Sequence, residues 1–207
     1  MEAEVLVEHP TRASASVNRN AMKRVMVIGS SGAGKSTLSR RLGQILGIEV
    51  VHLDVEHWRP GWVETPKGEW RRKVEELVRR DSWIMDGNFG ATLDVRFEAC
   101  DTVVFLDLSR FVCIWRVLKR WMLYKQGTRP DMAEGCHEKL DLKFLAWIWS
   151  FGKTSRPKVL ALVRQYSQSK RIVWLRTRAE VKKFLAEVEK EEVGCRMSVE
   201  EESAAFD

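Results

Sequence analysis

Cysteine is scarce in this sequence, and long apolar runs are missing. The four cysteines (Cys100, Cys113, Cys136 and Cys195) are widely spaced among 207 residues and form no CxxC pair. We therefore expect neither a disulfide framework nor a zinc site, and a reducing cytoplasm is the default location. No run approaches the roughly 18 apolar residues that a membrane span needs. Residues 1–20 are polar and lack the apolar core of a signal peptide.

The charge is distributed unevenly along the chain. The formal net charge is +6. Residues 187–207 hold eight acidic and two basic residues, a net −6, so residues 1–186 carry a net +12. A positive body suits polyanionic ligands such as nucleotides, phosphorylated metabolites and nucleic acids, and charge alone does not choose between them.

Short apolar segments alternate with amphipathic segments. This alternation predicts an α/β fold in which helices cover both faces of a parallel sheet. We place one domain at 22–190, between a disordered extension at 1–21 and an acidic disordered tail at 191–207. The predicted strands are 25–28, 48–53, 82–85, 102–106 and 171–175, and the predicted helices are 35–46, 69–80, 111–124, 140–151, 158–165 and 179–189.

Residues 29–36 match the P-loop pattern GxxxxGK(S/T) between a predicted strand and a predicted helix. Glycines let backbone N–H groups face a phosphate there, and the helix N-terminus adds its dipole. Lys35 is expected to reach the β- and γ-phosphates, and the Ser36 hydroxyl to ligate Mg²⁺. We therefore predict that the chain binds ATP, or a relative such as GTP, with Mg²⁺. The predicted nucleotide-binding residues of the loop are Gly29, Ser30, Ser31, Gly32, Ala33, Gly34, Lys35, Ser36 and Thr37.

The residues that follow the P-loop narrow its class. A GTPase would normally have an NKxD base-reading motif, which this sequence lacks, and a large motor or AAA-type ATPase needs a longer chain. The short kinase-like branch remains, in which two strands tipped with carboxylates flank the P-loop. Asp54 and Asp86 each follow a predicted strand and fit those positions.

Four further motifs make residues 23–185 resemble a known family. They are HLD at 52–54, WRPGW at 58–62, WIMDGN at 83–88 and RPDMAEGC at 129–136. With the P-loop, they resemble the adenylate-kinase-like P-loop kinases, and more closely the bacterial DNA topology modulation proteins, also described as kinase-like AAA-family ATPases. The resemblance implies a P-loop NTPase fold with sheet order 2-3-1-4-5, an acceptor-binding region at about 55–80 and a helical lid at about 121–156.

The resemblance also assigns roles to two aspartates and two arginines. Asp86 fits the Walker-B-like acid that orients water on Mg²⁺, and Asp54 is a candidate general base, with a turn or cap as the alternative for each. Arg116 and Arg120 lie four apart on one helix face, where the family's arginine pair stacks on adenine and holds phosphate. The candidate catalytic residues are Lys35, Asp54, Asp86 and Arg120; Arg116 and Arg120 join the nucleotide-binding set, and Ser36 and Asp86 are the candidate metal ligands.

Other polar residues are weaker candidates. His52 is interpreted as a core residue, whereas His57 is a candidate for the acceptor site. Asp107 is interpreted as structural. The arginines that we consider for contact with acceptor or phosphate are Arg96, Arg129 and Arg156.

Aromatic residues mark two departures from the family pattern. The acceptor region has tryptophans where an AMP-binding kinase would have threonine and arginine, which weakens the expectation of AMP. The lid region holds an aromatic helix, which we interpret first as packing and second as a membrane or partner contact. These residues are Trp58, Trp62 and Trp70 in the acceptor region, and Phe144, Trp147, Trp149 and Phe151 in the helix.

The favoured function is an ATP- and Mg²⁺-dependent phosphotransferase that acts on a nucleotide or a small metabolite. The alternative is a nucleotide-dependent regulatory ATPase that affects DNA topology, although no DNA-binding motif supports contact with DNA. A third possibility is a P-loop scaffold without activity. We expect a monomer or a homodimer.

Overall fold

The described part of the chain forms seven strands, eight helices and one turn of 3-10 helix at Gly90–Thr92. The strands are β1 (Arg24–Gly29), β2 (Val50–His52), β3 (Trp58–Arg59), β4 (Val63–Glu64), β5 (Trp83–Asp86), β6 (Thr102–Leu106) and β7 (Arg171–Leu175). The helices are α1 (Lys35–Leu46), α2 (Leu53–His57), α3 (Lys67–Leu77), α4 (Leu93–Ala99), α5 (Arg110–Leu123), α6 (Leu142–Thr154), α7 (Arg156–Tyr166) and α8 (Arg178–Ala204). This computed structural model describes residues 22–124, 132, 133, 135, 136 and 141–204, with side chains as far as residue 194.

Several predictions fall wholly or partly outside the described residues. Of the predicted lid at 121–156, which includes the motif at 129–136, residues 125–131, 134 and 137–140 are not described. The disordered extension at 1–21 and Arg129 are not described, and neither are residues 205–207 of the predicted tail. Among the residues that are described, none of the helices combines the length and the apolar character needed to cross a bilayer.

Five strands form one parallel sheet in the order β2-β5-β1-β6-β7. Counted along the chain, these strands lie in the order 2-3-1-4-5, so the predicted sheet is confirmed. β3 and β4 instead pair as a short antiparallel hairpin, with Trp58 opposite Glu64. The sequence analysis placed neither a strand nor a helix at 58–64, because Pro60 and Gly61 are typical of a loop.

Helices cover both faces of the sheet, as predicted. Successive side chains of a strand point to opposite faces. Met26 and Ile28 of β1 therefore pack with α3, α4 and α7, whereas Val25 and Val27 pack with α1, α5, α6 and α8. All four side chains are fully buried. Burial on both sides explains why β1 is a continuous apolar run.

α1 has the bounds predicted from its sequence. Leu38, Leu42 and Ile45 recur at a spacing of three and four residues, and all three are buried. The helix stops at Gly47, whose φ of 67° is left-handed and whose N–H donates to Gly43 O.

α8 is longer than predicted. The sequence indicated a helix at 179–189 and a disordered tail from 191, but α8 continues to Ala204. Phe184 and Val188 anchor the helix in the core. The glutamates that follow, with Lys190, are good helix formers, and no proline interrupts them. The acidic segment as far as Ala204 is thus helical.

Candidate active site at the carboxyl edge of the sheet

The carboxyl ends of the parallel strands meet at one edge, which is where open α/β sheets bind ligands. β1 ends at Gly29 and continues into the P-loop. β2 ends at His52, two residues before Asp54, and β5 ends at Asp86. His52 and Asp86 are direct partners in the pairing of β2 with β5. The topology therefore brings the P-loop and both predicted carboxylates to the same edge.

Backbone packing requires glycine at two positions of the P-loop. A Cβ on Gly29 would lie 2.4 Å from Leu106 O, and a Cβ on Gly32 would lie 2.3 Å from Cys113 O. Both residues also have positive φ, 150° and 81°. The loop thus rests directly on the end of β6 and on α5, which fixes the direction of its N–H groups.

The P-loop leads into α1, whose first turn contains no acidic residue. Ser36 is partly buried and Thr37 is exposed at this helix N-terminus. Unpaired N–H groups and the helix dipole make such a terminus favourable for an anion. This end of α1 therefore fits a phosphate group.

Lys35 lies inside the loop. Its Nζ donates to Gly29 O at 3.1 Å and to Ser30 O at 3.2 Å. Burial lowers the pKa of the Lys35 ammonium below its usual value. The carboxylates of Asp54 and Asp86 act to raise that pKa, because they stabilise the charged form.

Arg120 also acts on Lys35, since its positive charge lowers the lysine's pKa. Asp54, Asp86 and Arg120 are therefore all within electrostatic range of one ammonium group. The four candidate catalytic residues come from α1, α2, β5 and α5, and the fold assembles them around the P-loop.

Asp86 is buried, and its two carboxylate oxygens differ. Oδ1 lies 3.0 Å from Nδ1 of His52, whereas Oδ2 has no hydrogen-bond partner among the described residues. A buried carboxylate oxygen without a partner is costly, and a cation can compensate for it. Mg²⁺ prefers oxygen ligands and retains several waters. Asp86 and the Ser36 hydroxyl therefore fit a magnesium–nucleotide complex.

Arg116 contacts the protein's own P-loop. Its Nη1 donates to Gly32 O at 3.3 Å and to Ala33 O at 2.9 Å. Burial lowers its pKa, and Arg178 adds to that shift. Arg116 thus supports the loop from the α5 side, and its stacking on adenine stays a prediction.

A second loop, at 87–89, connects the P-loop with the acceptor side. Gly29 N–H donates to Oδ1 of Asn88 at 3.1 Å, and the Phe89 ring packs on His57 and Trp70. Phe89 has a φ of 23°, which is strained for a residue with a side chain. Such strain persists only where the surroundings hold the backbone in place.

Arg96 of α4 holds this loop. The fully buried guanidinium donates to Gly87 O at 2.8 Å, to Asn88 O at 2.7 Å and to Phe89 O at 3.2 Å. Burial lowers its pKa to about 10, so it is still charged at neutral pH. The suggested contact of Arg96 with an acceptor is therefore corrected, because protein carbonyls occupy its donors.

The region predicted to bind the acceptor contains an aromatic cluster. The ring centroid of His57 lies 5.1 Å from that of Trp58, 4.7 Å from that of Trp70 and 4.6 Å from that of Phe89. Burial lowers the pKa of His57, while Glu64 acts in the opposite direction. A neutral imidazole among aromatic rings fits an apolar wall better than a phosphate contact.

Arg156 is paired within the fold. Its guanidinium donates to both oxygens of Asp107, at 2.9 to 3.1 Å, and Trp174 Nε1 donates to the same carboxylate at 3.1 Å. The structural interpretation of Asp107 agrees with these contacts. Arg156 therefore secures the start of α7 to the residue that follows β6.

Three residues of the candidate site, His52, Asn88 and Arg96, make contacts that the sequence did not predict. His52 was interpreted as core, yet it orients Asp86. Neither Asn88 nor Arg96 was given its observed contact. The sequence indicates these contacts only through the polar Asp-Gly-Asn segment at the end of an apolar strand. The groups that His52 and Asn88 contact are distant from them in sequence.

The fold and the P-loop define an α/β protein of the P-loop NTPase class. No family model matches the chain. It is 37% identical over 100 residues to a shikimate kinase of Rhodococcus erythropolis, an alignment that covers 42% of this chain and 59% of the relative. It is 33% identical over 102 residues to a shikimate kinase of Histophilus somni, with 42% and 58% covered. The chain is thus similar to P-loop kinases, and these two relatives lend no support to the closer likeness to DNA topology modulation proteins.

The alignments span about three fifths of the length of these curated relatives. Among solved structures, a gluconokinase of Sinorhizobium meliloti is similar with a TM-score of 0.48 and 15% identity, over 88% of this chain and 98% of that one. A likeness of that size does not bear on function.

Proposed function

We propose that this protein is a phosphotransferase that moves the γ-phosphate of Mg²⁺-bound ATP to a hydroxyl group of a small metabolite. The observation that supports this most is that β2 and β5 end beside the P-loop, which brings Asp54 and Asp86 close enough to act on the charge of Lys35. A simple phosphate-binding protein has no need of two carboxylates beside the anion. A kinase needs one to hold the metal and one to accept a proton.

Each residue has a defined part in the proposal. The P-loop N–H groups and Lys35 bind the β- and γ-phosphates, and Ser36 and Asp86 hold Mg²⁺, which neutralises phosphate charge when it is bound. Arg120 offsets charge on the transferred group. Asp54 accepts the proton of the acceptor hydroxyl. The acceptor oxygen then forms its bond to phosphorus, and the bond to the bridging oxygen of ADP breaks.

A small metabolite is favoured over a nucleotide acceptor for two reasons. The two curated relatives are both shikimate kinases. The acceptor side also presents an aromatic wall around His57, without the pattern expected of an AMP site. The proposal includes a cytoplasmic location and a monomer or homodimer.

The test is transfer of labelled phosphate from ATP to shikimate, gluconate and the nucleoside monophosphates. We expect a labelled metabolite with the wild-type protein and none with Lys35→Ala. Lys23→Ala, at an exposed lysine that precedes β1, is the matched control and should retain activity. Labelling of a nucleotide alone would reject a metabolite acceptor, and ATP binding without transfer to any acceptor would argue against a kinase.

The positive charge of residues 1–186 favours one alternative, a nucleotide-dependent regulator that acts on DNA. It makes a separate prediction, because contacts with DNA phosphates weaken steeply as salt rises. DNA binding of that kind that also responds to ATP, together with the absence of transfer, would select the alternative.

A further inference from the structure

Exposed apolar side chains are concentrated on two helices. Twelve large hydrophobic residues are exposed in the described part of the chain, and nine of them belong to α5, the adjacent Tyr124 and α6. Phe111 is 63% exposed, Trp115 59% and Trp149 48%. Monomeric proteins seldom leave such neighbouring aromatics in water unless a partner covers them.

The exposed residues of α5 form one stripe. Phe111, Trp115, Lys119 and Met122 recur at the spacing of a helix face and are all exposed. Cys113, on the opposite side of the same helix, is buried in the core. α5 is therefore apolar on both sides, and packing within the domain accounts for only one of them.

α6 extends this stripe through direct ring contacts. The rings of Phe111 and Trp149 meet edge to face, with centroids 5.5 Å apart. The Arg110 guanidinium lies 4.3 Å from the centre of the Trp149 ring, and Lys119 Nζ lies 5.4 Å from that of Trp115. We define these five residues as the aromatic–basic face.

The two helices that carry this face, α5 and α6, are basic. α5 and α6 together contain six basic residues and no acidic residue. Two of the basic residues, Arg116 and Arg120, face the P-loop region. The other four are Arg110, Lys119, Lys143 and Lys153.

The chemistry of the face selects its partner. A second copy is disfavoured, because a two-fold interface would bring the same basic patch against itself. A nucleic acid would contact the basic side chains through its phosphates, but it would leave the exposed apolar area without a role. Tryptophan and phenylalanine favour the interfacial zone of a bilayer, where lysine and arginine meet anionic headgroups. We propose that the aromatic–basic face binds the surface of an anionic membrane. The proposal goes beyond the catalytic one and does not depend on it.

The face can be changed without altering the site. None of its five residues belongs to the P-loop or to the candidate catalytic set. The test is co-sedimentation of the full chain with vesicles of phosphatidylcholine alone, and with vesicles of equal parts phosphatidylcholine and phosphatidylglycerol. We expect binding to the anionic vesicles only, with affinity that falls as salt rises.

Variants separate the apolar contribution from the electrostatic one. Trp115→Ser should weaken partition roughly tenfold through lost apolar burial, and Lys119→Gln roughly fivefold through lost attraction. The matched controls are Val63→Ser, an exposed apolar residue of β4, and Lys182→Gln, an exposed lysine of α8. Both controls should bind as wild type does.

Three results would overturn the proposal. One is that the protein sediments equally with both kinds of vesicle, or that it sediments with neither kind. Another is unchanged partition of Trp115→Ser and Lys119→Gln. The third is a wild-type dimer that becomes a monomer with Trp115→Ser in the absence of lipid, since the face would then be a subunit interface. Circular dichroism and urea unfolding of each variant, measured in parallel, confirm that it is folded.

Discussion

Replacement of Arg96 by methionine removes the donor that holds the loop at 87–89. Methionine matches the length and apolar stem of arginine but donates no hydrogen bond. The carbonyl oxygens of Gly87 and Asn88 then lose their donor in an environment where Arg96 itself is fully buried. Phe89 O also loses Arg96 but still accepts from the backbone N–H of Thr92. The perturbation therefore tests whether one buried guanidinium maintains the loop.

The expected cost follows from the bonds to Gly87 O and Asn88 O, which are left without a donor. A buried carbonyl without a donor costs about 1 to 3 kcal/mol. Part of this is offset, because the variant no longer buries a positive charge. We expect the free energy of unfolding to fall by about 3 kcal/mol, out of the roughly 5 to 15 kcal/mol typical of a domain.

The assay is urea unfolding followed by tryptophan fluorescence and circular dichroism. Arg96→Lys keeps the charge but not the planar geometry, so it should recover only part of the loss. Arg80→Met, at an exposed arginine paired with Glu49, is the surface control and should cost less than about 1 kcal/mol. If Arg96→Met is no less stable than Arg80→Met, the loop does not depend on Arg96 and the reasoning fails.

Two further predictions concern His52 and Cys100. His52→Phe removes the contact with Oδ1 of Asp86. It should weaken magnesium-dependent ATP binding by roughly tenfold, as loss of a metal ligand's hydrogen-bond partner commonly does, and His52→Gln should weaken it less. Equal magnesium titrations of the wild type and both variants would contradict the orientation of Asp86 by His52. Burial raises the pKa of the Cys100 thiol from 9.0 to about 11, so its contribution to stability is complete below pH 9 and is lost as pH rises through 11. The free energy of unfolding should fall by about 2 to 3 kcal/mol more in wild type than in Cys100→Ala over that interval, and parallel pH profiles of the two proteins would refute this.

Much of the fold was predictable because its signals are local. β1, α1 and the P-loop follow one another within residues 24–46, and each has its own pattern of apolar spacing or glycine placement. The end of α8 was not predictable in the same way. A highly charged sequence suggested disorder, whereas helix-forming residues continue from a segment anchored by Phe184 and Val188.

The candidate site was predicted in its parts but not in its contacts. Lys35 and Asp86 were identified from sequence patterns, and their roles remain predictions. Arg156 had been considered for phosphate, but the fold pairs it with Asp107, 49 residues away in sequence. A sequence pattern indicates which chemistry a side chain can perform. It does not indicate which partner the fold will bring into contact with that side chain.

The sequence by itself therefore determined the α/β class, the P-loop and the polar strand ends, because these depend on neighbours within a few residues. Only the tertiary structure decided that His52 meets Asp86, 34 residues away, and that Arg96 lies buried beneath the loop at 87–89. It also decided that Phe111, Trp115 and Trp149 of α5 and α6 stay in solvent. Each of these outcomes depends on how the chain packs. Packing brings together segments that are distant in sequence, and the local pattern of one segment does not predict its contacts with another.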